Sequence, residues 1–154
     1  MKKILIPFIL VLFVNCGSDD PTSEPTLDFT AANEKEILDY ISAQGLNAQK
    51  SDTGLYYVIN EPGFGNSPTA SSNVTVAYKG YFTNGAVFDE SSADGISFNL
   101  NQVIAGWTEG ITYFNEGGSG VLLIPSRLAY GNRGTIGIPG GAVLIFDIAL
   151  ININ

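Results

Sequence analysis

The sequence lacks histidine entirely and has a single cysteine among its 154 residues. The absence of histidine excludes Ser-His and Cys-His catalysis and metal sites with histidine ligands. One cysteine, Cys16, allows neither an intrachain disulfide nor a zinc site of four cysteines. We therefore expect chemistry that uses carboxylates, hydroxyls, the backbone and apolar surfaces, without a metal or a cofactor.

Charged residues are also scarce, at 14% of the chain, against roughly 25% in an average soluble domain. Only 7 residues are Lys or Arg and 15 are acidic, so the formal net charge is −8. This balance excludes binding to a nucleic-acid backbone, which requires a basic surface. Apolar residues reach 45% and glycines number 18, which predicts one β-rich domain with tight turns plus a short extra segment.

The first residues have the pattern of a targeting segment. Lys2 and Lys3 precede an apolar run, Ile4–Val14, which is shorter than the roughly 20 residues that span a bilayer and fits a secretory signal. Cys16 follows closely, so residues 1–15 resemble a bacterial lipoprotein signal peptide. The resemblance implies lipidation of Cys16 and a place in the bacterial cell envelope, in the outer membrane, on its periplasmic or surface face. A cleaved signal beside an unmodified cysteine remains the alternative.

Three further segments are expected after the signal peptide. Residues 16–30 contain prolines, hydroxyl residues and acids, which predicts a flexible acidic tether. Residues 31–52 form a helical extension, with a helix over Asn33–Gln44 that starts with Asn33 as N-cap, has Glu36 in a capping box and ends at Gly45. This helix could pack on the domain, act as a spacer or bind a partner. Residues 53–154 form the main domain.

Alternation of apolar and polar residues predicts the strands of that domain. The Asn84-Gly85 pair predicts a tight hairpin turn, and Asn101 is a candidate cap for a brief helix that ends near Gly110. The expected fold is α+β: an antiparallel sheet of about five strands curled around one short helix, with an extra N-terminal helix. The expected strands are Leu55–Ile59, Asn73–Phe82, Val87–Asp89, Ile96–Leu100, Gly120–Pro125 and Ala142–Ile153.

Several aromatic residues come from different predicted elements, and taken alone they fit either a plain core or a pocket. The surrounding segments are more specific, since together they resemble FKBP-type peptidyl-prolyl isomerases in the family's order. These segments are VAYKG at 76–80, NGAVFDES at 84–91, FNL at 98–100, VIAGWTEG at 103–110, IPSRLAYG at 124–131, Ile138-Pro139 and LIFDIAL at 144–150. The resemblance covers residues 70–152.

The resemblance implies an apolar bowl that holds a substrate proline, with Trp107 as its floor. The backbone N–H of Ile104 and the hydroxyl of Tyr130 would each donate a hydrogen bond to the substrate. The catalytic residues that it implies are Tyr78, Phe88, Asp89, Trp107, Tyr130 and Phe146. The substrate-binding residues that it implies are Val103, Ile104, Ile138 and Phe98.

The implied activity is rotation about X-Pro bonds in envelope or secreted proteins, and the implied partners are proline-containing polypeptides, with the protein itself a monomer. A non-catalytic chaperone or peptide-binding module with the same pocket is the main alternative, and a surface scaffold that merely uses the fold is another. Two positions depart from many relatives. Ile96 stands where an aromatic residue is common, and no Lys or Arg lies between Lys79 and Arg127 to pair with Asp89.

Overall fold

The computed structural model describes residues 28–154. Cys16, the signal segment and nearly all of the predicted tether lie outside these described residues. Two α-helices are present in the described part, α1 (Thr30–Gln44) and α2 (Ala105–Gly110). The strands are β1 (Gln49–Lys50), β2 (Tyr56–Glu61), β3 (Asn73–Tyr81), β4 (Val87–Glu90), β5 (Ile96–Asn99), β6 (Ser119–Ile124) and β7 (Leu144–Ile153).

These strands form one antiparallel sheet in the order β1-β2-β6-β7-β3-β4, and β5 also pairs with β3. β3 and β7 pair along almost their whole length. The other edge of β3 is shared, because its first half pairs with β5 and its second half with β4. The predicted α+β fold is therefore confirmed, although the described residues contain seven strands rather than about five.

The two faces of the sheet are covered by different helices. Along β6, Leu122 and Ile124 belong to the core beneath α2, whereas Leu123 between them belongs to a second cluster with Ile37 of α1. This alternation follows from the pleat of a strand, in which successive side chains point to opposite faces. The N-terminal helix therefore packs on the domain, which is one of the roles left open by the sequence.

The start of α1 corrects the predicted capping box. The helix begins at Thr30, with Phe29 at the N-cap and no side-chain capping bond. Asn33 lies inside the first turn, and its amide bonds to the backbone far along the chain. Glu36 accepts a hydrogen bond from Thr83 Oγ1 at 2.5 Å. Tertiary hydrogen bonds have taken both polar side chains, and only Gly45, left-handed at φ 63°, plays its predicted part.

The short helix is also built differently from the prediction. Asn99, not Asn101, caps a 3₁₀ turn at Leu100–Gln102, since its side chain accepts a hydrogen bond from the N–H of Asn101 at 3.1 Å. The chain is then extended at Val103 and Ile104 before α2 begins. Two further differences are that β7 begins at Leu144 rather than at residue 142, and that the two-residue β1, which is exposed, has no sequence pattern to predict it.

In the part of the chain from Asp28 onward, no helix has the length and apolar character needed to cross a membrane.

Candidate active site

A cavity of about 610 Å³ lies between the sheet, α2 and the loop that follows β6. This volume is within the range of small-molecule and peptide pockets. We call residues 126–141, which connect the last two strands, the pocket loop. Every pocket residue implied by the family resemblance lines this one cavity. The lining residues are Tyr78, Phe88, Asp89, Phe98, Gln102, Val103, Ile104, Trp107, Tyr130, Thr135, Ile136, Gly137, Ile138 and Phe146.

Trp107 forms the floor, and its side chain is only 4% exposed. Its ring lies edge-on to those of Tyr78 and Phe146, with centroids 5.1 and 5.3 Å apart. The ring of Phe98 lies 5.4 Å away in the same T-shaped arrangement. Such edge-to-face packing is the favoured geometry of aromatic pairs. The indole is thus fixed in orientation, and the cavity in front of it remains open.

Glycine allows α2 to approach the sheet closely enough to place this indole. A Cβ at Gly106 would lie 2.5 Å from a methyl carbon of Ile124 on β6. Real Cβ atoms do not approach so closely, so any larger residue would push α2 away from the sheet. The Gly-Trp pair in the sequence therefore sets both the position of the helix and the depth of the floor.

Two phenylalanines form one wall. Phe88 and Phe146 meet in a T-shaped contact with centroids 5.5 Å apart. Behind them, Gly80 of β3 leaves room for both rings, because a Cβ there would lie 2.6 Å from Phe88 and 2.8 Å from Phe146. The two rings therefore pack against the backbone of Gly80, where a side chain would leave no room for them.

Asp89 is the one charged side chain among the lining residues. Its Oδ2 accepts a hydrogen bond from the hydroxyl of Tyr78 at 2.7 Å. Burial, together with this bond to a carboxylate, raises the pKa of Tyr78 to about 12. Tyr78 therefore stays a neutral donor at physiological pH and supplies the partner that no Arg or Lys provides.

The contact between Tyr78 and Asp89 could have been predicted from the register of the hairpin, although no motif indicates it. The hairpin pairs Gly80 with Asp89, which leaves Tyr78 two residues along on the same face. Diagonal neighbours on paired strands are within reach of aromatic side chains. The register set by the Asn84-Gly85 turn, where Gly85 has φ 86°, thus brings the two groups together.

Ile104 occupies the N-cap position of α2 in an extended conformation, with φ −60° and ψ 149°. Its carbonyl accepts hydrogen bonds from Trp107 N and Thr108 N. The N–H of an N-cap residue has no acceptor within its own helix. This placement is compatible with the predicted bond from Ile104 to a substrate carbonyl, which stays a prediction.

The pocket loop closes one side of the cavity with Tyr130 and Ile138. Tyr130 is 41% exposed, whereas Ile138 is almost fully buried. Ile136 also lines the cavity and is fully exposed, although no motif in the sequence pointed to it as a site residue. An isoleucine among glycines in a long loop was the available signal, since such a residue gains nothing there from the core.

Among residues 28–154, no three Asp, Glu, Cys or His side chains lie close enough together to hold a metal ion. The residues brought together at the cavity are mostly aromatic and aliphatic, with one hydrogen-bonded Tyr-Asp pair, two further hydroxyls, those of Tyr130 and Thr135, and the amide of Gln102. Such a set can bind an apolar ring and orient a peptide carbonyl.

Comparison with known proteins agrees with this geometry. A family model described as FKBP-type peptidyl-prolyl cis-trans isomerase matches residues 65–151. The FKBP-type peptidyl-prolyl cis-trans isomerase FkpA of Escherichia coli K12 is 42% identical over 128 residues, covering 80% of this chain and 47% of that protein. The probable FkpA of Neisseria meningitidis serogroup B is 45% identical over 105 residues, covering 66% and 39%. The chain spans about half the length of the curated relatives it matches.

Solved structures give the same result. The crystal structure of FkpA from Escherichia coli superposes with a TM-score of 0.73 at 39% identity, covering 80% of this chain and 60% of that one. A peptidyl-prolyl cis-trans isomerase from Pseudomonas syringae pv. tomato superposes with a TM-score of 0.70 at 30% identity, covering 81% and 96%.

Proposed function

Because the chain belongs to the family of FKBP-type peptidyl-prolyl cis-trans isomerases, we propose that it catalyses rotation about X-Pro bonds in polypeptide substrates. The observation that carries this proposal is the open cavity above the indole of Trp107, whose lining contains a single charged side chain. A substrate proline ring would lie on that indole, between the wall of Phe88 and Phe146 and the pocket loop.

The chemistry of the reaction fits such a site. The X-Pro bond has partial double-bond character, with a barrier of roughly 20 kcal/mol and an uncatalysed exchange time of tens of seconds or more. Rotation breaks amide resonance but breaks no covalent bond, so it requires no nucleophile. A twisted amide is less polarised than a planar one, and an apolar cavity therefore favours the twisted state. That is catalysis by differential binding.

The polar groups at the edge of the cavity would fix one end of the rotating bond. We propose that the Ile104 N–H and the Tyr130 hydroxyl bind substrate carbonyls, and that Asp89, held by Tyr78, supplies the electrostatic edge. Val103, Ile138 and Phe98 would contact the flanking side chains of the substrate. Their place in the cavity supports these roles.

A peptide isomerisation assay tests the proposal. A tetrapeptide with one X-Pro bond is transferred from a solvent that enriches the cis form, and its relaxation is followed with and without the purified full-length chain. We expect a relaxation rate that rises linearly with protein concentration. A rate that stays at the uncatalysed value at micromolar protein would refute the isomerase function.

The exposed Ile136 at the rim favours one second candidate, a peptide-binding module that holds apolar segments without turnover. The same assay separates the two functions, since a binding module would retain peptides without accelerating their relaxation. Binding of a proline-containing peptide, measured by calorimetry, combined with an uncatalysed relaxation rate would establish this alternative.

We also propose that the protein is a lipid-anchored monomer of the bacterial cell envelope, in the outer membrane, where it acts on envelope or secreted proteins. The apolar run before Cys16 and the acidic, proline-containing segment after it support this proposal. Because Cys16 is the single cysteine of the chain, incorporation of a labelled fatty acid is specific to it. We expect label in the unaltered chain and none in Cys16→Ser; an unlabelled chain in the soluble fraction would contradict the anchor.

A further inference from the structure

Asn33 is a buried polar side chain that contacts both ends of the pocket loop. It lies in the first turn of α1 and is only 2% exposed. Its Nδ2 donates a hydrogen bond to the carbonyl of Gly141, and its Oδ1 accepts one from the N–H of Ser126, each at 2.8 Å. One amide from the N-terminal helix thus joins the first and the last residue of the loop.

The same two residues also both form hydrogen bonds with Gly131 inside the loop. The N–H of Gly131 donates to Ser126 O at 2.8 Å, and the N–H of Gly141 donates to Gly131 O at 2.9 Å. Gly131 directly follows Tyr130, whose side chain lines the cavity. The backbone next to Tyr130 is therefore fixed by the same pair of residues that Asn33 holds.

The end of the loop is also fitted to the start of α1 by shape. Gly141 has a left-handed φ of 77°, and a Cβ there would lie 2.4 Å from the ring of Phe29. The helix start and the loop end thus pack in close contact, with the Asn33 amide beside them. The Phe29–Gly141 contact and the Asn33 bond therefore connect the start of α1 to the end of the loop.

We infer that Asn33 is a positioning residue, which holds the pocket loop closed at its base so that Tyr130 and Ile138 face the cavity. This inference rests on the proposed isomerase function. A carboxamide is required because it donates at one end and accepts at the other. An ionised carboxylate accepts only, so it would keep the bond to Ser126 and repel the carbonyl of Gly141.

Asn33→Asp tests the inference, because protonation of the introduced carboxyl restores a donor. We expect kcat/KM of this variant to be roughly tenfold below that of the unaltered chain at pH 8, smaller than the ~100-fold that a displaced reacting group can cost. The ratio of the two values should recover towards one as the pH falls to 5. Burial raises the pKa of a carboxyl, which moves this recovery into the accessible range.

The charged groups that share the cleft around Asn33 are Asp28 and Arg127. Hydrogen bonds from Thr30 lower the pKa of Asp28, so Asp28 is ionised at both pH values. A change in the ratio between pH 5 and 8 therefore reports the introduced carboxyl.

Glu34→Gln is the matched control in the same helical turn. Glu34 accepts hydrogen bonds from Tyr56 and Lys50, at 2.6 and 2.7 Å, and makes none to the pocket loop. Because Glu34→Gln keeps the Asn33 amide and its bonds to both ends of the loop, it should weaken the contacts of α1 with β1 and β2 without changing kcat/KM. An equal loss of kcat/KM in Glu34→Gln and Asn33→Asp, with no recovery at low pH, would show that Asn33 serves only to hold the helix.

Two further measurements complete the test. Amide hydrogen exchange over residues 126–141 should be faster in Asn33→Asp than in the unaltered chain. The loss of kcat/KM caused by Asn33→Asp should be smaller in a Tyr130→Phe background, because both substitutions act on the Tyr130 hydroxyl. Unchanged exchange and unchanged kcat/KM would overturn the inference. Absence of turnover in the unaltered chain would instead refute the isomerase function, and exchange would still decide whether Asn33 holds the loop.

Discussion

Replacing Trp107 with alanine removes the floor of the cavity, and both stability and turnover should fall by amounts that the structure allows us to estimate. The side chain is 4% exposed and packs against Tyr78, Phe98 and Phe146. Each aromatic pair contributes roughly 0.5–1.5 kcal/mol beyond its buried area. Truncation of a buried aromatic residue typically costs about 3–5 kcal/mol of unfolding free energy, so the variant should remain folded only with a narrow margin.

The expected loss of turnover follows from the proline ring. Its three methylene groups contribute about 2.4 kcal/mol when fully buried, at roughly 0.8 kcal/mol each. The floor covers one of the two ring faces, so its removal costs about 1.2 kcal/mol, or about eightfold in rate. Tyr78 and Phe146 pack against the indole, so their displacement would increase this loss of rate further. We therefore expect kcat/KM to fall at least tenfold.

The assay is relaxation of a prolyl tetrapeptide at a temperature where circular dichroism shows the variant folded. Phe114→Leu is the stability control, because Phe114 is fully buried in the same core and does not line the cavity. It should lower the unfolding free energy and leave turnover unchanged. Trp107→Phe keeps an aromatic floor and removes an indole N–H that has no hydrogen-bond partner in the described structure. Its kcat/KM should therefore fall less than that of Trp107→Ala. A folded Trp107→Ala variant with turnover within twofold of the unaltered chain would refute this reasoning.

Three further predictions concern the wall, the Tyr-Asp pair and the docking of α1. Tyr78→Phe frees Asp89 and should lower kcat/KM roughly fivefold. The pKa of Tyr78 is raised from 10.0 to about 12 in the folded protein, so its contribution to stability is complete below pH 10 and is lost as the pH rises to about 12. In urea denaturation, the unfolding free energy of Tyr78→Phe should therefore fall less steeply with alkaline pH than that of the unaltered chain. Gly80→Ala would press on two wall phenylalanines and should cost about 1–3 kcal/mol and lower turnover; an equally stable, equally active variant would contradict the wall geometry. Hydrogen bonds from a lysine and a tyrosine lower the pKa of Glu34 below 4.5, so its contribution to stability is present above that pH and is lost in acid. The unfolding free energy of Glu34→Gln should therefore fall less between pH 7 and pH 3 than that of the unaltered chain. An identical fall in the variant and in the unaltered chain would argue against this linkage.

The sequence was informative about the sheet because its signals are local. Alternating apolar residues in segments such as Asn73–Phe82 have the period of a strand, and Asn84-Gly85 is a turn that two residues specify. The pattern failed where the local signal conflicted with distant partners. Asn33 and Glu36 have the spacing of a capping box, yet their side chains bond to Gly141, Ser126 and Thr83 instead.

In the candidate site, too, local features could be predicted from the sequence and long-range contacts could not. Its residues lie within short segments, so their identities could be read from the sequence and the resemblance it carries. Their relations could not be read in this way. The bond from Tyr78 to Asp89 depends on the register of the hairpin, and the place of Ile136 on the cavity depends on how the pocket loop folds back.

The sequence by itself determined most element types and the apolar face of each strand, because these depend on side-chain spacing over a few positions, and the family resemblance implied most of the residues that line the cavity. Only the tertiary structure decided that a single amide on the N-terminal helix holds both ends of the pocket loop. The partners of Asn33 lie 93 and 108 positions away. A hydrogen bond over such a separation leaves no periodicity in the chain and is specified only when packing of the sheet brings its two groups together.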